Sequence, residues 1–467
     1  MNRLLIFFVV ICFSPAAAQV NLSFKNKSYK GDTIVVKTVK DYITGLDTTL
    51  ASGVVDSEGN FSCTFPLEKT SKIIIPLYFF KGILYTEPGK NYVLNMPHKT
   101  PVPVHAEVSP FFEPMTFFAF LPEKKTNELN NLIFEFDSIY EDYVTKYSSV
   151  LLFESYSSKV DTFINSIKDK YKDIENTYFK TYLSSRIAML NYFTKKRELY
   201  YVINYYLNAM PVSVENDAYM DLFNNLFRDF FRLYSLRQEG AGLYDDVAKA
   251  KSPHAIRHTL SLNPVFINDT ITELIILKGL HDSFFPGDDN LKREFPHTQL
   301  YITLDSVRLI NRYNFTRLIS NNIFYKVRNR CKVMAYDNLT VLDCNNTSVK
   351  LSSLKAKYAY LAFYDTRNYT CQKELKLFSK MAAKHQKDVQ FVLIIVNPYL
   401  DDFKEFCKTQ NFTFPVYYAS PNSGIIDRFD LKAYPHYMFF DPYGFAILSA
   451  APAPSENFEP QMYKLLE

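Results

Sequence analysis

The chain has 467 residues, 47% of them hydrophobic, and 53 Lys and Arg stand against 49 Asp and Glu for a formal net charge of +4. A chain of this length supports several domains, each large enough to bury its own core. Acidic and basic residues interleave with no basic arm and no acidic tail, so nucleic-acid binding has no electrostatic support. The 41 Phe and 35 Tyr accompany abundant Asn, Lys and Ile, which fits an AT-rich genome better than a carbohydrate-stacking surface.

The chain opens Met1-Asn2-Arg3, continues with ten apolar residues from Leu4 to Phe13, and then reads Ser14-Pro15-Ala16-Ala17-Ala18-Gln19. A basic head, a short hydrophobic run and small residues before a polar one make residues 1–18 a secretory signal, cut after Ala18. Ten residues form a helix of about 15 Å, half the roughly 30 Å hydrocarbon core, which argues against an anchor. Cys12 follows Ile11 rather than the small residue that a lipoprotein site needs. No later run reaches 18 apolar residues, so the mature chain is expected to lack a transmembrane span.

Cys63, Cys331, Cys344, Cys371 and Cys407 remain after cleavage. An oxidising compartment permits disulfides among them, but the odd number leaves one thiol over and spacing assigns no pair. No Cys-x-x-Cys occurs and the cysteines are scattered, so neither a metal nor a cofactor is expected.

Residues 19–105 are expected to form a small antiparallel β-sandwich. Thr33–Lys40, Thr48–Asp56, Asn60–Leu67, Lys72–Phe80, Gly82–Thr86 and Asn91–Met96 are short and rich in Val, Ile, Tyr, Phe and Thr. Asp56-Ser-Glu-Gly59 and Glu87-Pro-Gly-Lys90 supply turns, and Pro101 and Pro103 mark a stiff exit. The period then changes. Leu129, Leu132, Ile133, Phe136, Ile139, Tyr140 and Tyr143 recur at three and four residues, as do Tyr219, Leu222, Phe223, Leu226, Phe227 and Phe230. Residues 106–330 therefore read as a helical region without a fixed repeat. His254 and His258 share one helix face there, but Ala255-Ile256-Arg257 between them offers no base and adds a cation, so they read as ordinary histidines.

From residue 331 to 467 strands alternate with helices. Tyr358–Tyr364 and Val389–Val396 read as strands, and Cys371–His385 and Tyr399–Gln410 as helices. Phe414–Tyr418 (strand), Gly424–Phe429 (short helix), His436–Phe440 (strand), an Asp441-Pro-Tyr-Gly444 turn, Phe445–Ala450 (strand) and a helix near Glu456–Leu465 follow. A β-α-β unit, a hairpin and a closing helix make a thioredoxin-like plan. The fold class expected is thus multi-domain α+β: a β-sandwich, a helical middle and a thioredoxin-like α/β domain.

Three stretches of this last region carry a family resemblance: Val349-Lys-Leu-Ser-Ser-Leu-Lys355, Tyr358-Ala-Tyr-Leu-Ala-Phe-Tyr364 and Cys371-Gln-Lys-Glu-Leu375. With Phe414-Pro415-Val416, Ala433-Tyr-Pro-His436 and Asp441-Pro-Tyr-Gly444, they resemble the TlpA/ResA family of exported thiol–disulfide proteins. The resemblance implies a periplasmic protein of the cell envelope, a cis-proline at Pro435 and, by the looser likeness of the preceding regions, a Bacteroidetes type. The family pattern places cysteines at 368 and 371. This chain has Asn368 and Cys371, with Arg367 where the family has tryptophan.

In that family the first cysteine attacks, as a thiolate favoured by a helix N-terminus, and the second resolves the mixed disulfide. An amide cannot attack sulfur. Cys371 stands at the resolving position and is the only candidate catalytic group; acting alone it would await an external thiol or Cys407, and Arg367 would favour its thiolate if close. A peroxidatic role is disfavoured, because Asp365 and Tyr369 occupy the places of the proline and threonine that such a cysteine needs. The resemblance also implies that Arg367, Asn368, Tyr369, Tyr434, Pro435 and His436 line a groove for an extended peptide or an envelope protein. The leading expectation is a redox-inactive binding or assembly protein. The alternatives are a residual oxidoreductase or isomerase using Cys371, or a protein whose working parts are the β and helical regions.

Overall fold

The structure is a computed structural model describing residues 18–101, 113–120, 127–153, 158–194, 198–286, 295–330, 339–354, 357–397, 399–429 and 431–466. The expected leader up to residue 17, together with Cys12, Pro103 and Cys331, lies outside the described residues. Two compact units form: Met1–Arg228 with Asn263–Lys278, and Asp229–Leu262 with Gly279–Glu467. Among the described residues no helix is long and apolar enough to cross a membrane.

In the first unit, strands β1 (Ala18–Lys25), β2 (Thr33–Val39), β3 (Asp47–Val54), β4 (Asn60–Leu67), β5 (Ser71–Leu77), β6 (Phe80–Thr86), β7 (Asn91–Val93) and β8 (Met115–Phe118) make two sheets. Their orders are β4-β1-β7 and β3-β2-β5-β6-β8. Alternation aims Val20, Leu22 and Phe24 of β1 and Phe61 and Phe65 of β4 into the core shared with Ile34, Val36, Ile73 and Ile75. Two features depart from the expected antiparallel sandwich. β7 runs parallel to β1, and β8, inside the stretch expected to be helical, runs parallel to β6. β1 is a strand that the sequence reading does not include, although its period-2 pattern of Val20, Leu22 and Phe24 is in the sequence. The Asp56 turn forms as its residues suggest: Asp56 Oδ1 accepts from the backbone N–H of Glu58 and Asn60. Gly59 there has φ +83°, and a Cβ on it would lie 2.6 Å from the Lys27 nitrogen.

Helices α1 (Leu129–Lys146), α2 (Thr177–Phe193) and α3 (Asp217–Leu226) pack in the same unit. Asn176 and Asn216 cap α2 and α3, each accepting from the backbone N–H three residues on. Asn130, only 1% exposed, behaves as one more ladder residue beside β6. Its Oδ1 accepts from Tyr85 N–H at 2.7 Å and its Nδ2 donates to Tyr85 carbonyl at 2.8 Å. A knot of carboxylates and phenols follows. Asp217 accepts from Tyr85 Oη (2.8 Å) and Tyr178 Oη (3.3 Å) and pairs with Lys72 (2.8 Å). Asp137 accepts from Tyr182 Oη through both oxygens, at 3.0 and 2.8 Å, with Arg186 Nε 3.9 Å away.

The second unit holds a seven-stranded sheet. β9 (Thr340–Asp343), β10 (Ser348–Lys350), β11 (Tyr358–Tyr364), β12 (Val389–Val396), β13 (Val416–Ala419), β14 (His436–Phe440) and β15 (Ala446–Leu448) lie in the order β10-β9-β13-β12-β11-β14-β15. β11, β12 and β13 are parallel, and β14 returns antiparallel beside β11. Central strands covered on both faces need apolar residues throughout, which is why β11 and β12 read as unbroken hydrophobic runs. Core residues accordingly divide into a cluster on each face of the sheet. Helix α4 (His297–Ile310) packs on the β14–β15 turn: Phe445 meets the rings of His297, Tyr301 and Phe284 at 6.0, 5.4 and 6.2 Å, and Thr298 Oγ1 donates to Asp441. His254 and His258 sit exposed on Pro253–Ser261, and among the described residues no group of three His, Cys, Asp or Glu is placed to hold a metal.

Burial pushes the Asp137 carboxyl up from 3.8 to about 6, against the pull of Arg186 and the Tyr182 hydroxyl. A carboxyl with a raised folded pKa holds its proton more tightly folded than unfolded, so its contribution is full below about 3.8 and lost as pH rises through about 6. Asp137→Asn removes that dependence. Urea unfolding between pH 4 and 7 should show wild-type stability falling relative to the variant by on the order of 2 kcal/mol, levelling above pH 6. Parallel pH profiles for the two proteins would contradict this account.

Candidate functional site

The expected site residues fall at the carboxyl ends of β11 and β12, where α/β sheets bind their ligands. Helix α5 (Tyr369–His385) follows β11 directly. Asn368 is its N-cap: Oδ1 accepts from the backbone N–H of Thr370 at 2.9 Å and of Cys371 at 3.2 Å. The other half of the same amide donates from Nδ2 to the Tyr434 carbonyl at 3.2 Å. Tyr434 precedes Pro435, and the bond between them is cis, as the resemblance implies. One side chain thus fastens the start of α5 to the proline loop 66 residues away.

Cys371 lies one helical turn inward and is 1% exposed. Its thiol is pushed up from 9.0 to about 11, chiefly by burial; backbone groups at Asp365 and Cys371 offset part of this and the Asp365 and Glu374 carboxylates add to it. Arg367 does not rescue the thiolate. Its Nε pairs with Asp365 Oδ1 at 3.4 Å, and its guanidinium lies 5.8 Å from the Tyr399 ring centre. Asp365 Oδ1 also accepts from the Arg367 N–H at 3.0 Å, which sets the turn leading into the helix.

Tyr369 is exposed on the first turn of α5, with the Lys373 ammonium 4.5 Å from its ring centre. His436 opens β14 and donates from Nε2 to the Ser449 carbonyl at 3.0 Å, so that nitrogen is committed to the hairpin. The structure therefore brings Asn368, Cys371, Tyr434 and Pro435 together and turns Arg367 toward Tyr399. Behind them the Tyr364 and Tyr437 hydroxyls meet at 2.7 Å, both rings buried.

Sequence reasoning missed two features. Glu374, which lies within the Cys371–Leu375 stretch that carries the resemblance, is a buried carboxylate whose Oε2 accepts from Ser455 N–H at 3.2 Å. It lines a cavity of about 260 Å³ beside Pro435, together with Thr370, His436, Ala451, Ser455 and Glu456. The second is a disulfide between Cys344, after β9, and Cys407 on helix α6 (Leu400–Thr409), with Cα atoms 5.8 Å apart. Cys407 is thereby occupied and is not the resolving partner for Cys371 that the sequence left open. Its place in the last turn of α6 sets it at the negative end of the helix dipole, which disfavours a thiolate and suits a structural bridge. Cys63 and Cys371 are free thiols.

Two measurements test these sulfurs. In the folded protein iodoacetamide should label Cys371 roughly a hundredfold more slowly at pH 7 than in the urea-unfolded chain, read peptide by peptide by mass spectrometry. Rapid labelling with a midpoint near neutrality would overturn the buried-thiol assignment. For the disulfide, a bridge closing 63 residues of chain contributes about 4 kcal/mol in the chain-entropy treatment. Replacing Cys344 and Cys407 together by serine should lower unfolding stability by about that amount, and an unchanged urea midpoint would show that the bridge contributes nothing.

Comparisons with known proteins bear on the same domain. Residues 334–446 match the model of the AhpC/TSA family. No curated protein matches the chain. Among solved structures it is similar to the thioredoxin domain of a thiol–disulfide oxidoreductase from Bacteroides vulgatus: 15% identity, 29% of this chain and 97% of that one, TM-score 0.27. It is also similar to the exposed lipoprotein thioredoxin of Streptococcus pneumoniae: 19% identity, 27% and 98%, TM-score 0.25. A third is a thiol:disulfide interchange protein from a Bacteroides species: 17% identity, 28% and 88%, TM-score 0.26. With the family match over 334–446, the β13-β12-β11-β14 strand order and the motifs around Asn368 and Pro435, the C-terminal part of this chain is a TlpA/ResA-like thioredoxin-fold domain.

Proposed function

We propose that this is an exported protein of the cell envelope whose thioredoxin-like domain binds a partner and does not turn over disulfides. The observation that carries the reading is the Asn368 amide. It fills the hydrogen-bonding place at the start of α5 that a reactive thiolate would need, and it supplies no nucleophile. The one sulfur left in that turn is buried, and with its pKa near 11 only about one molecule in 10⁴ is thiolate at pH 7. Peroxide reduction meets the same obstacle, since it too begins with a reachable thiolate. The Cys344–Cys407 bridge and the leader-like residues 1–18 support export to an oxidising compartment, the periplasm.

Binding here differs from strand addition at the proline loop. The Tyr434 carbonyl, which would receive a peptide N–H, already accepts from Asn368, so an incoming main chain must compete for it. Recognition then rests on side chains around Pro435.

An insulin-reduction assay with dithiothreitol tests the reading. Wild-type protein should match its Cys371→Ala variant, whereas Asn368→Cys, which restores a nucleophile at the helix N-terminus, should raise the rate about tenfold or more. Wild-type turnover abolished by Cys371→Ala would sink the proposal.

A further inference from the structure

The helical turn after α4 reverses the usual placement of polar and apolar side chains. A helix Asn314–Arg330 follows α4 after the three residues Asn311, Arg312 and Tyr313. It buries Thr316 and Ser320, whose hydroxyls donate to the carbonyls of Tyr313 and Arg317, and buries Asn322 as well. Outward it turns Leu318, 48% exposed, and Tyr325. On the other side of the turn α4 ends on Leu309, 77% exposed, and Ile310, 38% exposed. Apolar residues exposed singly are ordinary, but Leu309, Ile310 and Leu318 gather about one turn.

Charge sets the same turn apart. From Ser306 to Arg330 the chain carries six Arg and Lys and no Asp or Glu, although the two signs interleave elsewhere. Arg308 is used within the fold: its Nη2 meets Asp305 Oδ1 at 2.7 Å, and its guanidinium lies 4.5 Å from the Phe324 ring centre. Arg312 and Arg317 are instead exposed beside the aliphatic residues. The turn that presents them is fixed. Buried Asn311 donates from Nδ2 to the Thr316 carbonyl at 3.1 Å, and its own carbonyl accepts from Arg317 Nη2 at 3.4 Å. A second copy of this chain fits the turn badly, because a two-fold contact would set arginine against arginine. An anionic lipid surface answers both halves of the chemistry, with phosphates for the guanidinium groups and hydrocarbon for the leucines and isoleucine.

We propose that this turn docks the protein on the surface of a bilayer that contains anionic phospholipid. Leu309, Ile310 and Leu318 enter the headgroup layer, and Arg312 and Arg317 pair with lipid phosphates. The contact lies on the membrane and does not span it. It goes beyond the binding role proposed for the thioredoxin-like domain and uses none of the residues around Asn368 and Pro435.

Vesicle flotation tests this, using phosphatidylcholine vesicles with and without phosphatidylglycerol. The protein is taken without residues 1–18, so that the apolar run from Leu4 to Phe13 does not itself bind lipid. Vesicles with phosphatidylglycerol should bind about tenfold or more tighter than those without it, and added salt should weaken that binding. Arg312→Gln with Arg317→Gln should lower the affinity about tenfold, and Leu309→Ser with Leu318→Ser by a similar factor. All four side chains are exposed, so urea midpoints should stay unchanged in both double variants. Equal binding to the two kinds of vesicle, binding to neither, or anionic binding that either double variant leaves intact would overturn the inference. Dextran sulfate separates a lipid surface from any polyanion. If it is bound as tightly as the anionic vesicles, and equally by the leucine double variant, the membrane assignment falls.

Discussion

The site hangs on one amide that faces two ways. A helix start leaves backbone N–H groups seeking an acceptor, and either a thiolate or a side-chain carbonyl oxygen satisfies them. At position 368 both solutions accept from the same N–H groups, but only the thiolate carries a charge and can attack sulfur. Asn368 keeps the acceptor for Thr370 and Cys371 and adds a donor, which it directs at the Tyr434 carbonyl. The proline loop and the helix start, which in a working exchange site must stay open to a second protein's sulfur, are here joined by the protein itself. Cys371 beneath that junction is buried, and the nearby carboxylates of Asp365 and Glu374 reinforce its neutral form.

How much of this was legible in the sequence follows from how local each determinant is. β11, β12 and β14 can be read almost to the residue, because strands covered on both faces require uninterrupted apolar side chains. Position 368 was legible because a thioredoxin-like pattern counts residues from a strand end, and Pro435 because Ala433-Tyr-Pro-His436 sits at a fixed place in that pattern. β8 was not: four residues with little alternation, paired parallel to β6, take their identity from the neighbour. Nor was the Cys344–Cys407 pair, since a 63-residue separation says nothing of proximity until β13 and α6 are folded. Arg367 shows the limit for single side chains. Its charge was legible and its direction was not, because Asp365 and Tyr399 decide where the guanidinium goes.

The buried carboxylates Asp217, Asp137 and Asp441 are each answered by donors close at hand. In the first unit Asp217 receives two phenol hydroxyls and a lysine, and Asp137 takes a phenol across both oxygens with an arginine near by. Those charges are costly to bury and the surrounding tyrosines answer them, which ties β5 and β6 to the helices that follow. Asp441 in the second unit is treated likewise, receiving Tyr443 and Phe445 N–H groups and the Thr298 hydroxyl.

Glu374 breaks the pattern. It is as buried as Asp441, yet among the described residues it accepts one backbone N–H, from Ser455, and lines the cavity beside Pro435. It lies near the proline loop, whose Tyr434 carbonyl accepts from Asn368. With an amide at position 368 and the Tyr434 carbonyl accepting from it, the helix start and the proline loop are satisfied from within the chain.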